Sequence, residues 1–126
     1  MAMRTPLKTV RGLGSAKEGA NHFWTQRMTG AANLVLSLFV VGLAISLAGA
    51  DHASVASTLG HPLVGLALIL FTCSAAIHMR IGMQVIIEDH VHGEGAKIAL
   101  LMLNTFFAVA VAAASVFSIL KLSFGG

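Results

Sequence analysis

Leu63-Val-Gly-Leu-Ala-Leu-Ile-Leu-Phe-Thr-Cys73-Ser74-Ala-Ala-Ile77-His78-Met-Arg80-Ile-Gly82-Met-Gln-Val-Ile-Ile87 is an apolar stretch interrupted by one histidine and one arginine. A helix rising about 1.5 Å per residue needs roughly 20 apolar residues to cross a hydrocarbon core, and this stretch supplies them. On either side of it, residues 28–50 and 98–120 contain no Asp, Glu, Lys or Arg at all. None of these runs alternates with the period of two that a membrane strand requires, so a β-barrel is not expected. The expected fold is an all-α membrane protein with three transmembrane helices, over about 28–50, 62–87 and 97–121, forming part of a heteromeric helical bundle.

Composition agrees, since 126 residues with 56% hydrophobic and 10% charged content and a mean hydropathy of +0.85 describe a chain whose preferred solvent is lipid. The expected organisation is one membrane-anchor domain over 1–126, with a cytoplasmic arm at 1–27. Asp51-His-Ala-Ser-Val-Ala-Ser-Thr-Leu-Gly-His-Pro62 reads as a polar, small-residue loop whose proline suits the first turn of a helix. Residues 88–97, with Gly93 and Gly95, read as the second loop. No repeat, low-complexity tract or soluble domain stands out, so water-soluble chemistry must come from partner chains.

Of the eight Lys and Arg residues, Arg4, Lys8, Arg11, Lys17 and Arg27 precede or open the first span, the first loop has none, and the second has Lys97. The positive-inside rule therefore puts the N-terminus and second loop in the cytoplasm. The net charge of +3 comes largely from the arm, which suits anionic headgroups or an acidic docked protein; a nucleic-acid partner is not expected. The first apolar run is a full span near Met28 rather than the short apolar core of a secretory signal, and Glu18 and the arm's brevity argue against a mitochondrial presequence. The expected location is a bacterial inner membrane, with the mitochondrial inner membrane as the alternative. Cys73 is alone, so no disulfide, Cys-x-x-Cys or iron–sulfur ligation is expected, and it reads as a small packing residue.

Read by angle at about 100° per residue, the second span carries Ser74, His78, Gly82 and Asp89 on one stripe, with Asp89 about 16 Å further along the axis at the cytoplasmic surface. Ionisable groups inside a membrane usually have a function. A neutral imidazole is a good axial ligand for haem iron, and Gly82 leaves room for a flat macrocycle or for a second helix. The simpler alternative is that His78 hydrogen-bonds a neighbouring helix. If haem is present, the second ligand comes from another chain, because His22, His52, His61, His90 and His92 lie in the arm, the loops or at span ends.

Arg80 points about 200° away from His78, so it either snorkels to the surface or pairs with a propionate of a haem lying between helices. Arg27, at the same membrane face, binds either a propionate or a lipid phosphate. Asp89 and His90 together can donate hydrogen bonds and relay protons to a quinone, or can simply be a solvated helix end. His92 and Glu94 read as loop residues or contacts to a soluble partner, and Phe23 and Trp24 as interfacial anchors. Gly12-Leu-Gly14 lacks the β-α context of a dinucleotide site.

His78-x3-Gly82-x6-Asp89 followed by Val91-His92-Gly93-Glu94 resembles the signature of the small hydrophobic membrane-anchor subunits, the D subunits, of succinate dehydrogenase (complex II). The arm from Arg4 to Gly19 and His22-Phe-Trp-Thr-Gln-Arg27-Met-Thr-Gly30 are similar to the start of alphaproteobacterial members. The resemblance implies a non-catalytic anchor subunit of an electron-transport enzyme of the tricarboxylic acid cycle. It implies that the chain pairs with a second anchor, the C subunit, and shares with it a haem b through His78 as metal ligand. It implies a flavoprotein subunit and an iron–sulfur subunit docked on the cytoplasmic face, ubiquinone reduced beside Asp89, and Arg27 near the haem propionates. The family usually has Asp-Tyr where this chain has Asp89-His90, so His90 is expected to take the tyrosine's place with a different pH dependence. A haem-free structural anchor would not need the His78 stripe. In a small transporter subunit, Asn33, Asn104 and scattered Ser and Thr would make a poor pathway.

Overall fold

The computed structural model describes residues 5–12 and 18–125; Arg4, Lys17 and Gly14 lie outside the described residues. Five helices follow one another among the described residues: α1 (Pro6–Val10), α2 (Glu18–Leu47), α3 (His52–Leu59), α4 (Pro62–His90) and α5 (Glu94–Ser123). The segments Gly19–Leu47, Pro62–His90 and Glu94–Ser123 are long and apolar enough to cross a membrane, as the hydropathy pattern predicts.

Helix α2 begins well before the apolar run at Met28, because nothing between Glu18 and Arg27 stops a helix. In its first turns the Arg27 guanidinium lies 4.8 Å from the Phe23 ring centroid, and Phe23 meets Trp24 edge-to-face at 5.8 Å. At 30 residues the helix is about 45 Å long, against a hydrocarbon core of about 30 Å, so it projects beyond the membrane. It ends at Gly49, whose φ of 82° is a left-handed turn that a side chain would strain.

The segment expected as a loop after α2 is instead mostly α3. Asp51 caps it, its carboxylate accepting from the Ser54 amide at 3.4 Å, and these Ser54 hydrogen bonds hold the Asp51 carboxyl below its ordinary 3.8. A carboxyl whose pKa falls on folding adds stability above its unfolded value, so the cap is present near neutrality and weakens in strong acid. His61 then caps α4, its Nδ1 accepting from Leu63 N at 3.2 Å, and Pro62 occupies the first turn as expected. The second loop is also shorter than composition suggests. Only Val91, His92 and Gly93 separate α4 from α5, with Glu88, Asp89 and His90 finishing one helix and Glu94 to Lys97 starting the next.

Helix α4 is central, with α2 and α5 packed against different faces of it. Lipid offers no hydrophobic drive for helices to associate, so these seams rely on small residues and interhelical hydrogen bonds. Ala76 and Ala108 are buried along the α4–α5 seam, and the buried Asn104 donates from Nδ2 to the Arg80 carbonyl at 2.9 Å. At the opposite end from His90, a Cβ on Gly60 would lie 2.7 Å from the Leu122 carbonyl oxygen and one on Gly65 2.8 Å from Ser123 Oγ. Two glycines thus let α3 and the start of α4 dock against the end of α5.

Candidate functional site

The α2–α4 seam is polar. On α4, Ser74, His78 and Gly82 share a face, and opposite them on α2 stand Gln26, Thr29, Gly30 and Asn33. Ser74 Oγ donates to the Thr29 carbonyl at 3.2 Å, and His78 Nδ1 lies 3.2 Å from Thr29 Oγ1. A Cβ on Gly30 would sit 3.4 Å from His78 Cε1, and one on Gly82 3.3 Å from Gln26 Nε2. At Gly82 it is Gln26 of the second helix that approaches α4. Gly30, which lies beside the imidazole, was not singled out by spacing, and neither was Thr29. Gln26 Oε1 and Asn33 Oδ1 are buried on this seam without a hydrogen-bond partner.

The two arginines do not converge on His78. Arg80 leaves the far side of α4, donating from Nε to Thr105 Oγ1 on α5 at 3.3 Å, while the exposed Arg27 head rests on Phe23. A groove of about 420 Å³ beside Arg80 is lined by Cys73, Ala76, Ile77, Thr105 and Ala108, and does not include His78. Asp89 and His90 are exposed at the end of α4, with His92 and Glu94 close by in the chain on the tight connection to α5. His90 Nδ1 turns back to the Ile86 carbonyl at 3.1 Å, and Gln84 donates to Glu88 at 2.9 Å. The stripe thus runs from a half-buried imidazole within a span to an exposed carboxylate about 16 Å along the helix.

Residues 1–113 match the family described as succinate dehydrogenase/fumarate reductase transmembrane subunit. The chain belongs to this family. It is 31% identical over 122 residues to the succinate dehydrogenase hydrophobic membrane anchor subunit of Paracoccus denitrificans, a match covering 96% of this chain and 93% of that protein. The subunit of the same description from Rickettsia bellii is 24% identical over 106 residues, covering 84% and 85%. The succinate dehydrogenase membrane anchor subunit of Reclinomonas americana is 30% identical over 98 residues, covering 75% and 82%. No solved structure matches the chain significantly. The resemblance seen in the His78 motif and the arm is borne out as family membership.

Haem is the group this resemblance implies, and the donor chemistry of the seam fits it. No group of three His, Cys, Asp or Glu side chains able to hold a metal occurs among the described residues. His78 suits the role of a single axial ligand: its Nδ1 is engaged with Thr29, and no hydrogen bond ties up Nε2 among the described residues.

Proposed function

We propose that this chain anchors a succinate:quinone oxidoreductase in a bacterial inner membrane, with its N-terminus and the α4–α5 connection facing the cytoplasm. The observation that carries this reading is the family match over residues 1–113, on a chain with three helices able to span a membrane. The chain is not an enzyme alone. Its partners are a second anchor subunit, an iron–sulfur subunit and a flavoprotein subunit that oxidises succinate.

Within that assembly His78 would hold a haem b through Nε2, together with a histidine of the second anchor. Bound there, haem b would supply a one-electron store. Arg27, one turn toward the cytoplasm from Gly30 on α2, neutralises a propionate. Arg80 faces the opposite side of α4, where its bond to Thr105 ties α4 to α5; it meets a propionate only from that side. Ubiquinone takes up two electrons and two protons to become the quinol. Asp89, solvated at the helix end, passes protons inward from the cytoplasm, and His90 holds a quinone carbonyl.

The test is a reduced-minus-oxidised optical spectrum of the purified complex, wild type against His78→Ala, with the amounts of all four chains checked. A b-type signal that is lost or strongly altered in the variant is the expected result. Absence of that signal in the wild type removes the ligand role, and succinate-dependent quinone reduction then separates a haem-free quinone anchor from a purely structural subunit.

A further inference from the structure

The hydroxyl of Thr29 has one proton and three neighbours. Its Oγ1 lies 2.7 Å from the Thr25 carbonyl oxygen, 3.2 Å from that of Gln26 and 3.2 Å from His78 Nδ1. The Thr25 contact has the preferred length of an O–H···O bond, so the proton goes there. What faces His78 is then a lone pair, and the contact is a hydrogen bond only when Nδ1 carries the ring proton. A neutral imidazole has one N–H, so Nε2 is left bare. A further feature holds the pair in register: the Ser74 hydroxyl grips the Thr29 carbonyl at 3.2 Å.

We propose that Thr29 is a positioning residue for His78, fixing the ring in its Nδ1–H tautomer and aiming Nε2 at an axial bond to haem iron. The proposal rests on the reading of His78 as a haem ligand. An acceptor on Nδ1–H raises the electron-donating power of Nε2, which favours ferric over ferrous iron and lowers the midpoint potential. Residues that orient a ligating histidine in this way are typically worth about 10- to 100-fold in affinity.

The experiment uses the assembled complex as wild type, Thr29→Val, Thr29→Ser and His78→Ala, with a redox titration of the haem band and EPR of the oxidised haem. Valine keeps the shape and removes the acceptor. The expected result is a more positive midpoint potential and shifted low-spin g values in Thr29→Val, with haem retention in detergent washes weakened by about tenfold. Thr29→Ser should stay close to wild type. A valine variant with the wild-type potential and g values overturns the proposal. A serine variant as perturbed as the valine one does the same, since the effect is then packing rather than the hydroxyl. If Thr29→Val does not assemble, Thr29→Ala takes its place in the comparison. A wild-type haem spectrum in His78→Ala removes the ligand reading itself, and the proposal with it.

Discussion

His90 donates from Nδ1 to the Ile86 carbonyl at 3.1 Å, which fixes what the rest of its ring can do. With the proton on Nδ1, a neutral His90 has only a lone pair at Nε2, so donating to a quinone carbonyl means moving that proton to Nε2 and giving up the Ile86 bond. A tyrosine hydroxyl donates without that cost. His90→Tyr should therefore tighten quinone binding. Quinone reductase kinetics, read as KM for ubiquinone, check this; an unchanged affinity in the variant would sink it. The His78–Asp89 stripe was legible in the sequence, because helical periodicity alone puts those residues on one face. Thr29 and Gly30 were not, because their importance depends on the register of α2 against α4, and no single-helix pattern encodes that register. Arg80 shows the same limit, since its angle from His78 could be calculated but its bond to Thr105 could not.

At the scale of the elements, hydropathy located the three long helices but not their ends. Helix α2 extends into the arm because Glu18 to Arg27 is helix-compatible although not apolar, and α3 forms in a segment whose small polar residues look like a loop until the Asp51 cap is recognised. Close approaches at glycine were harder still to foresee. Gly60 and Gly95 look alike in sequence, yet a Cβ on Gly60 would fall 2.7 Å from the Leu122 carbonyl oxygen, whereas one on Gly95 would meet nothing within 4 Å. The obstacle at Gly60 is backbone, which cannot rotate away. Gly60→Ala should therefore push α3 off the end of α5 at a cost of about 1–3 kcal/mol. Gly95→Ala, inside α5, should be neutral or stabilising by up to about 1 kcal/mol. Thermal denaturation of the purified complex distinguishes them, and a Gly60→Ala midpoint equal to wild type would mean that this docking contributes little.

For the whole molecule, the decisive property is how little of it is buried. No large side chain is fully buried among the described residues, and the apolar window of α2 is 0% buried. Helix α4 has neighbours on two faces, whereas α2 and α5 scarcely touch each other, so the three spans form an open layer rather than a closed bundle. Lipid tolerates the exposed Leu, Val and Phe side chains, but it offers nothing to the polar seam. Gln26 Oε1 and Asn33 Oδ1 remain unsatisfied, and a buried polar atom without a partner costs about 1–3 kcal/mol. Partner helices and a group bound at His78 would rigidify the α2–α4 seam and cover the open faces. Produced without its partners, the chain should therefore accumulate in membranes several-fold less than when the second anchor is produced alongside it, with His78→Ala and Thr29→Val reducing the co-produced level further. Quantitative immunoblots of washed membranes measure this. A chain that accumulates equally well alone and elutes as a monodisperse helical monomer in detergent would show that the open layer is self-sufficient, and that its exposed faces are lipid surfaces rather than an interface.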